Sequence, residues 1–307
     1  MSTKVLIAGG SGFLAVNWAL AICEHSEVGL LTHNHPVNLP SITATKLGLE
    51  DTGPLLAWVN AWRPTVIVNA AGMTNVDQCE LNPENAYIAN VVVASNLAKA
   101  AKHVSAKLVH ISTDHLFNGR QAMLDVDAEP QPLNEYARSK LAGETAVLEV
   151  NPDAIVVRTN FYGWGTPLRE SISDWVIGSL RAGKPITAFD DEFFTTIFIK
   201  HLVAVANSLV THGANGILHI SGNERISKFD FALALAEAFD LDGSLIKRAK
   251  VEKADFKAPR PLDMSLDNSR AKEIVGDIFG SISEGFQMLQ EQEQADRPKS
   301  LSQALCG

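Results

Sequence analysis

The sequence predicts an α/β protein, a Rossmann-type doubly wound parallel sheet with a smaller C-terminal α/β substrate-binding lobe. Over about the first 160 residues, short apolar runs alternate with stretches of helical spacing, which is typical of βαβ units. The runs are apolar at consecutive positions, as expected of strands buried on both faces of a sheet. The first run leads directly into glycines and then a helix, the order found in dinucleotide-binding folds.

The first half of the chain supplies most of the predicted sheet. Strands are predicted at residues 4–8, 28–31, 65–69, 107–111 and 154–158, with a weaker one at 46–49. Helices are predicted at residues 13–22, 55–62, 83–102 and 134–148. Asn134 follows two prolines and is the predicted N-cap of the last of these helices.

The second half changes character. Helices are predicted at residues 171–182, 199–210, 227–239 and 281–293, a strand at 216–220, and an irregular exposed region at 247–268. We therefore divide the chain into an NAD(P)-binding Rossmann domain at residues 1–165, a substrate-binding lobe at 166–290 that is interleaved with the first domain, and a polar tail at 291–307 that frays.

Composition excludes several classes of function. The net charge of −9, without any Lys/Arg run, argues against a nucleic-acid partner. Cys23, Cys79 and Cys306 lie far apart without a CxxC pair, which fits a reducing compartment and predicts no metal site. No apolar run approaches the roughly 18 residues of a membrane helix, and the N-terminus does not resemble a signal peptide. We expect a cytoplasmic protein without a membrane partner.

The glycine turn after the first run has the spacing of a dinucleotide fingerprint. Gly9 permits a tight turn, Gly12 lets a diphosphate approach the backbone, and Ala15 lets the helix pack closely on the sheet. The free N–H groups at the helix start then bind the negative charge. The alternative is a turn that only joins a strand to a helix.

The end of the second predicted strand bears on the choice of cofactor. An acidic residue there would bind the adenosine ribose and repel a 2′-phosphate. This chain has Thr32, His33, Asn34 and His35 instead. NADPH is permitted and slightly favoured, NADH stays open, and the two histidines are more simply an exposed loop than a metal site.

Tyr136 and Lys140 are candidates for acid–base chemistry. Four residues apart on a predicted helix, they fall on one face. We predict that the Lys140 ammonium lowers the pKa of Tyr136, so that the phenol serves as general acid in a carbonyl reduction. Taken alone, the pair would more simply be two exposed side chains. Ser112, Thr113 and Asp114 strengthen the case, because they follow the strand at 107–111, at the sheet edge where ligands bind.

Together these motifs resemble a known family. The strings GGSGFLA, NAAG, STD and YARSK resemble the extended short-chain dehydrogenase/reductases. AAGMTNVDQCELNPENAYIAN, STDHLFNG, PQPLNEYARSKLAGE and PRPLDMSLDNSRA resemble the dTDP-4-dehydrorhamnose reductase branch. The resemblance implies reduction of a 4-keto-6-deoxyhexose on a nucleoside diphosphate, with NADPH or NADH as the hydride donor.

The resemblance also implies roles for individual residues. The catalytic residues would be Thr113, Tyr136 and Lys140. The cofactor would be bound by Gly9, Ser11, Gly12, Phe13, Leu14, His33, Asn69, Ala70, Ala71 and Asn90, together with Tyr136 and Lys140. The substrate would be bound by Met73, Asp114, Phe161 and Arg260.

Three positions depart from the family pattern. His115 stands where Tyr is more usual, Met73 stands where Tyr is usual, and Gly48 stands where an acidic residue approaches the adenine. The chain is also similar to the regulatory subunit of methionine adenosyltransferase, around Ser221–Glu224, Lys228 and 258–261. An epimerase or dehydratase of the same superfamily, or a non-catalytic NADP-binding regulatory subunit, is therefore the alternative. The particular sugar and the choice between monomer and homodimer stay open.

Overall fold

A seven-stranded parallel sheet forms the centre of the protein. The structure is a computed structural model that describes residues 3–305. The strands of the large sheet are β1 (Thr3–Ala8), β2 (Ser26–Thr32), β3 (Ile42–Lys46), β4 (Val66–Asn69), β5 (Lys107–Ile111), β6 (Ile155–Arg158) and β11 (Gly216–His219), and their order across it is β11-β6-β5-β4-β1-β2-β3. Every neighbouring pair is parallel. The predicted fold class is confirmed.

Helices cover both faces of this sheet. Their bounds are α1 (Phe13–Ile22), α2 (Thr52–Trp62), α3 (Val76–Leu81), α4 (Pro83–Tyr87), α5 (Val93–Val104), α6 (Glu135–Val150), α7 (Ile172–Arg181), α8 (Ile199–Thr211), α9 (Lys228–Ala238), α10 (Ser269–Val275), α11 (Ile282–Gln294) and α12 (Arg297–Leu305). Side chains of one strand alternate between two cores: Val5 and Ile7 lie in one, Leu6 and Ala8 in the other. Burial on both faces explains why the strands are apolar at consecutive positions.

Short strands build the remaining, smaller part. They are β7 (Phe161–Tyr162), β8 (Ile186–Phe189), β9 (Phe193–Phe194), β10 (Ile197–Phe198), β12 (Ile226–Ser227) and β13 (Ile246–Ala249). They pair as β10 with β7, β12 with β9, and β13 with β8. Strand β11 belongs to the large sheet although it lies within the predicted substrate-binding lobe. The division at residues 165 and 290 itself stays a prediction.

Three local predictions differ from the structure. The third strand is Ile42–Lys46 rather than residues 46–49. The single helix predicted at 83–102 is α4, a π-helical turn at Ile88–Val92, and α5. The region expected to be irregular contains β13.

The tail from residue 291 was predicted to be polar and frayed, whereas α11 continues to Gln294 and α12 follows it. Leu301 and Ala304 are buried in the same core as Val37 and Leu39, which follow β2. The Ala304 carbonyl accepts a hydrogen bond of 2.8 Å from the Asn38 amide. The tail folds back because its few apolar residues recur at helical spacing and pack into that core.

The cysteines that the structure describes form no disulfide. Cys23 and Cys79 are free thiols, and Cys306 lies outside the described residues. Within residues 3–305 no helix has both the length and the apolar character needed to cross a bilayer.

Candidate active site

A cavity of about 380 Å³ opens at the carboxyl ends of β1, β4 and β5. The strand order reverses between β1 and β4, and ligands of doubly wound sheets bind in the crevice at such a point. Four groups of residues line the cavity, namely the start of α1, the loop after β4, the end of β5 with the start of α6, and the segment after β6.

The glycine turn forms the wall beside α1. Gly9 has φ of +85°, and a Cβ there would lie 2.7 Å from the Ala71 amide nitrogen. Gly12 is the N-cap of α1 and offers no side-chain cap, so the first amides of the helix stay available to an anion. Of the predicted cofactor residues, Gly12, Phe13, Leu14, Ala70 and Ala71 line the cavity, while Gly9 and Ser11 complete the turn.

His33 directly follows β2, is exposed and is not among the residues that line the cavity. Thr32 beside it is buried, and the neighbouring Asn34 and His35 are exposed. The predicted contact between His33 and a cofactor ribose stays a prediction.

Asn69 and Asn90 support the loop after β4 and do not line the cavity. The Asn69 side chain donates to His110 Nδ1 at 2.9 Å and accepts from the Ala71 amide at 3.1 Å. Asn90 Oδ1 accepts from the Met73 amide at 2.8 Å, and its Nδ2 donates to the Met73 carbonyl at 3.0 Å and to Ser139 Oγ at 2.9 Å. In this structure both residues hold the loop in place through its backbone.

Tyr136 and Lys140 face the cavity from the start of α6. The helix begins there because the Asn134 side chain caps it, accepting from the Ala137 amide at 2.9 Å, as predicted. Tyr136 is 7% exposed and Lys140 is 4% exposed. Lys140 Nζ donates to the Ile111 carbonyl at 2.6 Å, which ties α6 to the end of β5.

Burial controls the ionisation of both side chains. It raises the pKa of Tyr136 above its ordinary value, although a hydrogen bond to the Thr113 hydroxyl opposes the rise. It lowers the pKa of Lys140 to about 8. The prediction that Lys140 lowers the pKa of Tyr136 is wrong for this structure, because desolvation of the phenolate dominates and the ammonium is turned to the Ile111 carbonyl. A neutral phenol is the form that donates a proton in a reduction.

Thr113, Asp114 and His115 continue from β5 along the cavity wall. Thr113 Oγ1 and Asp114 Oδ1 are 3.3 Å apart, and the His115 ring meets the Tyr136 ring edge-on at 5.6 Å. Burial raises the pKa of Asp114 to about 7 and lowers the pKa of His115 to about 3. His115 is therefore neutral at pH 7, and Asp114 exchanges its proton near that pH.

An ion pair behind the cavity joins α6 to β6. Arg158 donates to both carboxylate oxygens of Glu144, at 2.8 to 3.2 Å, and both side chains are 2% exposed. Glu144 lies one helical turn after Lys140, and Arg158 directly precedes Thr159, which lines the cavity. The pair therefore fixes the helix that carries the catalytic candidates to the strand next to them.

The predicted substrate residues are only partly brought together. Asp114 and Phe161 line the cavity. Met73 packs behind Tyr136 in a small cluster with Cys79 and does not line the cavity. Arg260 also lies outside the lining: its guanidinium binds Asp77 at 2.8 Å and the Ala258 carbonyl at 3.0 Å. Roles for Met73 and Arg260 in substrate binding stay predictions.

Several lining residues were not predicted. They are Thr74, Val76, Ile111, Arg169, Glu170, Ser171, Ile172 and Lys228. Lys228 begins α9, some ninety positions after Tyr136 in the chain (228 against 136), and only the folding of the second half brings it to this wall. Across residues 3–305, no three His, Cys, Asp or Glu side chains are grouped so as to hold a metal ion.

The sequence is similar to a known protein family and to several known proteins. Residues 3–293 match the family described as the RmlD substrate binding domain. The chain is 38% identical over 213 residues to the dTDP-4-dehydrorhamnose reductase of Mycolicibacterium smegmatis, covering 67% of this chain and 64% of that protein. It is 33% identical over 236 residues to methionine adenosyltransferase 2 subunit beta of Xenopus tropicalis, covering 74% of this chain and 70% of that protein.

A solved structure shares the whole fold. The dTDP-4-dehydrorhamnose reductase (RfbD) of Bacillus anthracis, solved in complex with NADP, superposes on this chain with a TM-score of 0.85. The superposition covers 95% of this chain and 100% of the other at 25% identity. The two proteins therefore share one overall fold.

Proposed function

Because this chain belongs to the RmlD substrate binding domain family, we propose that it reduces the keto group of a nucleotide-activated 6-deoxyhexose with NADPH or NADH. The observation that carries the proposal is the convergence of Thr113, Tyr136 and Lys140 on one cavity beside the glycine turn. The name of the Mycolicibacterium relative and that of the Bacillus structure both give dTDP-4-dehydrorhamnose as the substrate to try first.

The residues around the glycine turn fit a nicotinamide dinucleotide. Gly9 and the Ala70–Ala71 backbone approach each other so closely that any side chain at Gly9 would collide with that backbone. The uncapped start of α1 offers amides and a positive helix end to a diphosphate. When bound, the reduced cofactor supplies the hydride to the carbonyl carbon.

The protein side chains then handle the carbonyl oxygen. The hydroxyls of Thr113 and Tyr136 donate hydrogen bonds to it and polarise the ketone. Tyr136 passes its proton to that oxygen as negative charge develops there. Lys140 has two ammonium donors beyond the one bound to the Ile111 carbonyl, and these would bind the nicotinamide ribose.

Replacing Tyr136 by Phe tests this function, since it removes only the hydroxyl. We expect kcat for NADPH oxidation with dTDP-4-dehydrorhamnose to fall by about 10²- to 10⁴-fold, the usual contribution of a general acid. The Kd for NADPH should change less than about threefold, because the ring still packs against Met73 and Cys79. Tyr87→Phe is the matched control: Tyr87 is 54% exposed on α4, and its variant should behave as the wild type.

A regulatory role is the second candidate, favoured by the 33% identity to methionine adenosyltransferase 2 subunit beta. Two results together would favour this role over the reductase. The wild type would bind NADPH and sugar nucleotides without oxidising the cofactor, and it would bind a methionine adenosyltransferase catalytic subunit. An epimerase or dehydratase would retain its nicotinamide and show turnover of the sugar without net oxidation. The cytoplasmic location and the oligomeric state stay predictions.

A further inference from the structure

Four buried polar atoms along the cavity wall have no hydrogen-bond partner within residues 3–305. They are Ser112 Oγ, Asp114 Oδ2, His115 Nδ1 and Thr159 Oγ1, and all four residues line the cavity. Buried polar groups are almost always paired, because an unpaired one costs free energy. A ligand that carries several hydroxyl groups would pair these atoms at the ends of β5 and β6.

Lys228 faces the same part of the cavity from another element. Its backbone amide donates to the Glu192 carbonyl at 2.9 Å, and its Nζ donates to Glu192 Oε1 at 2.6 Å. The Glu192 side chain is 2% exposed, whereas that of Lys228 is 30% exposed. The carboxylate thus lies behind the ammonium and holds it toward the cavity, and two of its three N–H donors are left for a ligand.

Lys228 lines the cavity near Asp114 and His115. Its charge lowers the pKa of Asp114 and of His115, so it lies within electrostatic range of both side chains. Asp114 directly follows Thr113, whose hydroxyl donates a hydrogen bond of 3.3 Å to Asp114 Oδ1. If the Thr113 hydroxyl turns from Asp114 to the ketone oxygen, the Asp114 carboxyl group is released beside that oxygen, where a substituent on the neighbouring carbon of the sugar would lie.

We propose that Asp114 and Lys228 together bind the hydroxyl on the carbon next to the ketone, so that the protein selects keto sugars that retain this hydroxyl. The carboxyl group accepts from the hydroxyl and the ammonium donates to its oxygen, which satisfies both partners. This inference rests on the proposed reductase function and names the feature of the sugar that its site recognises. Glu192 is a positioning residue, because it touches Lys228 and not the substrate.

The test compares two substrates across a small set of variants. The substrates are dTDP-4-dehydrorhamnose and its 3-deoxy analogue, which lacks the hydroxyl in question. Lys228→Met removes the ammonium and keeps an unbranched stem. We expect kcat/KM to fall by about 10- to 100-fold with the hydroxylated substrate and less than about threefold with the deoxy analogue, since a charged hydrogen bond is lost only in the first case.

Two further variants separate substrate binding from a purely structural effect. Lys228→Met/Glu192→Gln removes the unpaired carboxylate that the single change leaves buried. If Lys228 only neutralises Glu192, the double variant regains wild-type kcat/KM, and the proposal is overturned. Lys250→Met is the matched control, because Lys250 is also paired with an acid, Asp190 at 2.7 Å, but lies outside the cavity. It should leave both substrates unaffected.

A binding measurement keeps this inference distinct from the reductase function. Calorimetric titration of NADP-saturated protein with dTDP-rhamnose should show a Kd about 10-fold weaker or more for Lys228→Met, with the Kd for NADP unchanged. If the wild type reduces both substrates and Lys228→Met lowers kcat/KM equally for both, the role of Lys228 is overturned and the reductase function remains. Binding that depends on Lys228, without turnover, would overturn the reductase and support the site.

Discussion

Replacing Arg158 by Met should be one of the most damaging single changes in this protein. It leaves the Glu144 carboxylate charged and 2% exposed, with its three hydrogen bonds from Arg158 gone. Removing one partner of a buried pair costs about 3–5 kcal/mol. The unfolding entropy is about 2.1 cal/mol/K per residue, or about 0.6 kcal/mol/K for 307 residues, so Tm should fall by about 5–8 °C.

Thermal unfolding followed by circular dichroism at pH 7 measures this effect. Arg181→Met is the control, because Arg181 pairs with Glu293 on the surface, where the side chains are 46% and 32% exposed. Such pairs contribute about 0–1 kcal/mol, so Tm should change by less than about 2 °C. The double variant Glu144→Leu/Arg158→Met should regain most of the loss, since no unpaired charge remains. Equal Tm shifts for Arg158→Met and Arg181→Met, or a double variant as unstable as the single one, would refute the reasoning.

Two further predictions concern Asp114 and Gly9. Burial raises the pKa of Asp114 to about 7, so its contribution to stability is complete below about pH 4 and is lost as the pH rises through 7. The free energy of unfolding of the wild type minus that of Asp114→Asn, from urea titrations, should fall across this window and stay constant above it; a difference that is constant from pH 4 to 7 would contradict the assignment. Gly9→Ala places a Cβ 2.7 Å from the Ala71 amide at a φ of +85°, and should cost about 1–3 kcal/mol and weaken NADPH binding at least 10-fold in a fluorescence titration. Gly178→Ala, which meets open space within α7, should instead stabilise by about 0.5–1 kcal/mol, and equal behaviour of the two variants would exclude the steric explanation.

The central sheet could be predicted because most of its strands are buried on both faces and are therefore apolar at consecutive positions. Strand β5 and helix α1 match their predicted bounds, and β4 and β6 differ by one residue at the start. Strand β3 could not be placed, since it is an edge strand in which Thr43 and Ala44 are exposed. An edge strand buries too little to leave an apolar run in the sequence.

The candidate site was predictable where local sequence sets the geometry. A helix that begins after the N-cap Asn134 places Tyr136 and Lys140 on one face, independently of the tertiary packing. Lys228 and Arg169 were missed because their positions depend on how the second half packs over the sheet. No spacing along the chain encodes that packing.

Ionisation was harder to predict than position. The proximity of Lys140 suggested a low pKa for Tyr136, but the sequence does not show how deeply the phenol is buried, and desolvation decides the outcome. Asn90 illustrates the same limit. Its family position suggests contact with the cofactor, and the sequence does not show that its amide also binds Met73 and Ser139; the contact with the cofactor stays a prediction.

The return of α12 to the segment after β2 has a consequence for how the protein is made on the ribosome. Domains generally fold as they emerge, beginning with the N-terminal one. Here the segment that carries Val37 and Leu39 receives its packing partners Leu301 and Ala304 from the last helix of the described chain. The segment after β2 can therefore complete its packing only after Leu301 and Ala304 have been synthesised, so the folding of this early segment depends on residues more than 250 positions further along the chain.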